Sequence, residues 1–147
     1  MEIREIQNDD SEIKSVQDFL FSQIRIEYGI GPTPKFHYDI LDMKKYYVIP
    51  DRNAFFAAYD GDNIIATAGV RAYDKDYEFF KDCYNEDYTA SIWRLMVDSE
   101  HRRKGLARSL VKEIAIFLFI LEYYIRICKK SRKRNYKISL SFVQFQD

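Results

Sequence analysis

Apolar and polar positions alternate from Met1 to Ile6, which predicts a short strand. The period then lengthens. Ile13, Val16, Phe19 and Leu20 recur at helical spacing after a cap at Asp9 or Asp10, so a helix is expected to about Phe21. Gly29-Ile-Gly-Pro-Thr-Pro34 breaks the chain, and Tyr38 to Tyr46 predicts a short helix. Asn53–Tyr59 and Ile64–Arg71 read as strands around Asp60-Gly61-Asp62-Asn63, a good hairpin turn. Ala72 to Thr89 is a polar, tyrosine-rich connection. Ala90–Val97 is rich in β-branched, aromatic and aliphatic residues, as a strand should be. A helix is expected from about Arg103 to Lys129. Beyond it, Ile138, Leu140 and Phe142 alternate with Ser139 and Ser141, so Tyr136–Val143 predicts a final strand. The fold class expected is α+β, in one domain spanning residues 1–147.

Chemistry concentrates between Val97 and Val111. Arg102-Arg-Lys-Gly-Leu-Ala107 has the form Arg-x-x-Gly-x-Ala between a strand and a helix. Unpaired amides and the positive end of a helix dipole favour a phosphate at such a place. Gly105 lets the backbone approach a ligand, and Ala107 keeps the first turn slim. Arg102, Arg103, Lys104 and Arg108 add positive charge and donors suited to phosphate.

The stretch Ile92-Trp-Arg-Leu-Met-Val-Asp-Ser-Glu-His-Arg-Arg-Lys-Gly-Leu-Ala-Arg-Ser-Leu-Val111 resembles the acetyl-CoA signature of the GNAT superfamily of N-acetyltransferases. That signature is a strand ending in Val, an acidic turn, then Arg/Gln-x-x-Gly-x-Gly/Ala at a helix start. Asn53–Arg71 also resembles the family's two-stranded hairpin, and the resemblance covers roughly Met1 to Glu113. It implies a mostly antiparallel sheet flanked by helices, with acetyl-CoA as cosubstrate and a primary amine of a small molecule or peptide as acceptor. Leu95, Met96 and Val97 would pair their backbone with the pantetheine arm. Arg102, Arg103, Lys104, Gly105, Leu106 and Ala107 would hold the pyrophosphate, with Arg108 adding charge. The strands Ala90–Val97 and Tyr136–Val143 would be parallel, splayed neighbours. An amine would attack the thioester carbonyl while a backbone N–H near the bulged end of the strand polarises it.

Arg94 lies in an otherwise apolar strand. It is read either as a holder of a substrate carboxylate or as a surface side chain, in an ion pair or snorkelling to water. Tyr73, Tyr77, Tyr84 and Tyr88 either line a substrate pocket or pack on the sheet. His101 adjoins the phosphate loop.

Composition narrows the alternatives. Formal net charge is zero, so global charge gives no argument for nucleic acid or membrane, and the basic set from Arg126 to Arg134 reads as a solvated turn. Cys83 and Cys128 are far apart with no CxxC spacing, and no leader segment is apparent, so a reduced cytoplasmic setting is expected. No clustered Cys/His set suggests zinc. The longest apolar run, Ile114 to Leu121, is too short for a bilayer.

The chain departs from the family in two places. Many relatives carry a carboxylate where Ser91 stands here. Residues after the signature helix also end sooner than the family's usual last helix and strands. Ile114, Ile116, Phe117, Leu118, Phe119, Ile120 and Leu121 surround the helix, so a homodimer is expected to cover it. Two readings follow. One is an active N-acetyltransferase. The other is a truncated fold, weak or inactive in catalysis, that serves as an oligomeric CoA-binding or interaction module.

Overall fold

A computed structural model describes residues 1–72, 89–128 and 139–141. Its elements are β1 (Glu2–Glu5), α1 (Asp10–Tyr28), α2 (Pro34–Leu41), a π-helical turn (Lys44–Val48), β2 (Ala54–Asp60), β3 (Asn63–Ala72), β4 (Thr89–Val97), a 3-10 turn (Ser99–His101), α3 (Leu106–Cys128) and β5 (Ser139–Ser141). The sheet order is β1-β2-β3-β4-β5. The first four strands pair antiparallel, while β5 lies parallel to β4. This is an α+β fold with a mostly antiparallel sheet between helices. The tyrosines between 73 and 88 and the basic residues between 129 and 134 lie outside the described residues, as does most of the strand expected over 136–143.

The sheet has two buried faces, and β2 shows why. Phe55, Ala57 and Tyr59 enter one cluster, with Val16, Leu20 and Ile24 of α1, Ile40 of α2 and Tyr47 of the π turn. Ala54, Phe56 and Ala58 enter the other, with Leu106, Leu110 and Ile114 of α3. Successive residues of a strand face opposite sides, so a strand covered on both reads as a continuous apolar run.

Three boundaries differ from the sequence pattern. The helix expected to end near Phe21 continues to Tyr28. Gln23 and Ile24 extend its buried stripe, and the first stop is Gly29, whose φ of 65° closes the helix with its N–H on the Arg25 carbonyl. The Asp9 carboxylate caps the other end through the Glu12 N–H at 2.7 Å. The single helix expected over 38–46 is instead two pieces: α2, which starts on Pro34, and the π turn, which carries Tyr47 inward. The last helix starts at Leu106 rather than near Arg103, because Arg103 (φ 61°) and Gly105 (φ 82°) are left-handed.

Tyr47 needs a special neighbour. A Cβ on Gly69 of β3 would lie 2.6 Å from Tyr47 Cε1 and 2.9 Å from Phe55 Cδ2. Only glycine lets both rings close on the strand.

Candidate functional site

The loop between β4 and α3 is built by its backbone. Ser109 donates to the Gly105 carbonyl at 3.0 Å, which makes Gly105 the N-cap of α3. A glycine cap has no side-chain oxygen to accept from the first turn. Among the described residues nothing accepts from the amides of Lys104 to Arg108. A Cβ built on Gly105 would meet nothing within 4 Å. Open space, free amides and a helix start coincide there, and an anion fits that combination. Arg103, Lys104 and Arg108 are exposed around it.

Not every predicted residue faces that space with its side chain. Leu106 is 2% exposed and packs into the core under α3. Ala107 is half-buried on the first turn. The Arg102 guanidinium bonds the Val97 carbonyl at 3.2 Å and pairs with Glu27 of α1, so it ties the loop to that helix. His101 contacts Asp98 at 3.0 Å, and Asp98 also accepts from the Glu100 N–H and from Gln23. The hydrogen bond from His101, with help from Glu100 and Gln23 and against some burial, holds the Asp98 carboxyl below its ordinary range. The acidic turn thus braces the loop.

Upstream of the loop, β4 runs parallel to β5. The two strands pair over Thr89–Ser91 and Ser139–Ser141. Among the described residues the edge of β4 beyond Ser91 has no strand beside it. Leu95, Met96 and Val97 lie on that edge, and their side chains fill the two cores alternately. Their outward backbone groups are unpaired among the described residues, on the stretch that leads to Gly105. The parallel pairing of β4 and β5 is the one expected from sequence, while the residues that would show a splay, 142–147, lie outside the described residues.

Arg94 sits where β4 bulges. Thr67 pairs with Met96 and Gly69 with Trp93, so Ala68 alone faces both Arg94 and Leu95. Arg94 has φ 51°, which costs about 1–2 kcal/mol for a residue with a Cβ. Without the extra residue, alternation from Trp93 would place Arg94 with Ile92 on the α3 face. The bulge turns it to the α2 face instead. There Nε donates to Asp39 Oδ2 at 2.9 Å and an Nη2 donates to Asp39 Oδ1 at 2.5 Å and to the Phe36 carbonyl at 2.7 Å. The Tyr47 hydroxyl donates to the same carboxylate at 2.5 Å, and Thr67 donates to the Arg94 carbonyl at 3.0 Å.

Asp39 is fully buried. Burial pushes its carboxyl up, but the hydrogen bonds and charge of Arg94, with the Tyr47 hydroxyl, outweigh that and leave it below its usual range. Burial, then the Asp39 charge, pushes the Tyr47 hydroxyl well above its ordinary value. Sequence reasoning missed Asp39 and Tyr47. A lone arginine in an apolar strand called for a carboxylate, but 23 acidic residues offered themselves. The carboxylate that Arg94 holds in the folded chain is the chain's own.

On the same face, Ser91 is buried; it accepts from Trp93 Nε1 at 2.7 Å and donates to the Arg71 carbonyl at 3.4 Å. The Arg71 guanidinium lies over the rings of Trp93 (4.5 Å) and Tyr46 (5.0 Å), with Tyr38 at 5.9 Å.

His37 lies beside the Arg94–Asp39 pair and is 5% exposed. Its Nδ1 accepts from the Thr33 N–H at 2.9 Å, which requires the neutral ring. Burial, then the Arg94 charge, lowers its pKa from the ordinary 6.5, with Asp39 opposing. The unfolded chain therefore binds more protons just below pH 6.5 than the folded one, and stability falls with pH in that window. Thermal melts between neutral and mildly acidic pH should show the decline, and His37→Gln should flatten it. An unchanged slope in that variant would assign the decline to other groups.

The fold agrees with known proteins. The Acetyltransferase (GNAT) family model matches residues 14–135. The chain belongs to the GNAT acetyltransferase family. Among curated relatives, the N-acetylaspartate synthetase of Homo sapiens is 29% identical over 87 residues, which cover 59% of this chain and 25% of that protein. The Rattus norvegicus protein of the same name matches equally over 87 residues. The chain thus spans about a quarter of the length of these relatives. Among solved structures, a GNAT-family acetyltransferase from Staphylococcus aureus Mu50 superposes with a TM-score of 0.63 at 16% identity, over 82% of this chain and 69% of that one. An aminoglycoside 6'-N-acetyltransferase complexed with coenzyme A superposes with a TM-score of 0.54 at 16% identity, over 80% of this chain and 55% of that one. At such identities the structures speak for the fold. Among the described residues no helix is long and apolar enough to cross a membrane, and no group of His, Cys, Asp and Glu could hold a metal ion.

Proposed function

We propose that the protein transfers the acetyl group of acetyl-CoA to a primary amine of a small molecule or peptide. The observation that carries this reading is the set of free amides and the open space at Gly105, which follow β4, a strand whose edge beyond Ser91 is unpaired among the described residues. A pyrophosphate suits the loop from Arg103 to Arg108, and an extended pantetheine arm suits the unpaired edge at Leu95–Val97. In the reaction an uncharged amine attacks the thioester carbonyl. A C–N bond forms, the C–S bond breaks, the nitrogen gives up one proton, and CoA leaves as a thiolate that takes one up. The protein's part is to bind, to orient and to polarise the carbonyl through backbone N–H groups at the bulge.

Calorimetric titration with CoA and acetyl-CoA, followed by thiol release across a panel of amines, tests the reading. The panel includes aspartate, because the curated relatives bear the name N-acetylaspartate synthetase. Saturable binding and amine-dependent thiol release are expected. A folded protein that binds neither nucleotide would end it. The two separated cysteines, Cys83 and Cys128, favour a cytoplasmic setting for this enzyme.

The reading extends to a homodimer. Ile116, Phe119 and Ile120 on α3 are 43%, 64% and 58% exposed, and each such side chain gains about 1.5–3 kcal/mol when fully buried. Light scattering at micromolar concentration should give about twice the chain mass of 17.6 kDa. Phe119→Glu with Ile120→Lys should return the mass to one chain. A wild-type monomer at high concentration would refute the dimer.

A further inference from the structure

Arg94 combines two features that stability alone does not explain. It holds a left-handed conformation that residues with a Cβ avoid, and it does so in β4 just before the phosphate-suited loop, where the strand's outer edge is unpaired among the described residues. A regular strand with an apolar residue at this position would pack beside Ile92 and need no buried ion pair. Exchanging a buried pair for apolar residues is often neutral for stability, so the arrangement asks for another reason.

The surroundings fix Arg94 from every side. Its guanidinium is forked onto Asp39 and the Phe36 carbonyl of α2. Its carbonyl is held by Thr67 of β3. Asp39 is in turn held by Tyr47, which the π turn carries inward beneath Gly69. Gly69 pairs with Trp93, the residue just before the bulge. A glycine without a side chain, a rare helical turn and a bulge are thus joined by successive contacts that end on one guanidinium.

We propose that Asp39 and Tyr47 form a buried clamp on Arg94, and that Arg94 is a positioning residue that sets how the backbone N–H groups of the β4 bulge meet the thioester carbonyl. This rests on the acetyl-transfer reading above. The clamp touches no substrate. It acts by holding the bulge, so its loss should impair the chemical step far more than nucleotide binding, which relies on the separate loop at Gly105.

The double variant Arg94→Met with Asp39→Leu removes both charges together and leaves neither buried alone. Circular dichroism and thermal melting report whether it folds. The readouts are the affinity for CoA, kcat and KM, and the infrared band of acetyl-CoA labelled with carbon-13 at the thioester carbonyl. In the wild type the bound band should shift from its position in water, as a polarised carbonyl does. In the folded double variant CoA affinity should stay within about threefold, kcat should fall at least about tenfold, and the band should return toward its free position. A folded double variant with wild-type kcat and band would overturn the clamp. Should the double variant fail to fold, Tyr47→Phe decides. It keeps the ring against Phe55 and removes only the hydroxyl bond to Asp39. A partial loss of kcat with a partial band shift supports the clamp, and no change in either overturns it. Wild-type protein that fails to bind acetyl-CoA overturns the acetyl-transfer reading and the clamp with it. Wild-type binding and turnover, with no effect of the variants, overturns the clamp alone.

Discussion

Asp39→Ala should cost about 3–5 kcal/mol of folding stability, the usual effect of removing one partner of a buried pair. The reason is what remains. Arg94 is half-buried against α2, with its two donors to Asp39 left unanswered, and the Tyr47 hydroxyl, buried with its ring, loses its acceptor as well. Tyr47 is 1% exposed, so its hydroxyl has no ready route to water. Domains of this size are stable by only about 5–15 kcal/mol, so the variant should melt far earlier or unfold at ambient temperature. Urea denaturation of the variant beside the wild type measures the difference. A loss below about 1 kcal/mol would mean that Arg94 finds water or another acceptor there, as an exposed pair would.

Gly105→Val should abolish, or reduce at least about tenfold, the affinity for CoA, which corresponds to 1.4 kcal/mol or more. Two effects act together. At φ 82° a β-branched residue is strained, by about 1–2 kcal/mol. The added side chain would also fill the space that now meets nothing within 4 Å, where a phosphate would approach the free amides of the first turn. The protein itself has no atom in the way, so the melting temperature should fall only modestly while binding collapses. Calorimetric titration with CoA, paired with thermal melting, separates the two effects. CoA affinity unchanged from the wild type would remove the loop from Arg102 to Ala107 as the nucleotide site.

Much of this chain was legible without coordinates, for a physical reason. Strand and helix periods, Asp9 as a cap and Gly61 in the hairpin turn are local, and each element follows from residues within a few positions of one another. The loop at Gly105 is local as well. A glycine between a strand and a helix implies a free helix start whatever the rest of the chain does. Boundaries were less legible where a stop depends on contacts made elsewhere. The extra length of α1 follows from Gln23 and Ile24 meeting the core, and the break between α2 and the π turn follows from Tyr47 needing a place beneath Gly69.

The α+β class, the order of elements and the anion-suited loop could be read from the chain alone, because these rest on near neighbours and on the alternation of apolar residues. Which carboxylate Arg94 takes was settled by the tertiary structure. Residues 39, 47, 67 and 94 lie on four elements, and a bulge had to rotate one residue to the opposite face before they could meet. It also decided that Arg102 turns to Glu27 rather than to the open loop, since α1 lies within reach only after folding. Charge partners are chosen by distance in space, and in water an exposed charge along the chain carries no preference for one distant partner over another.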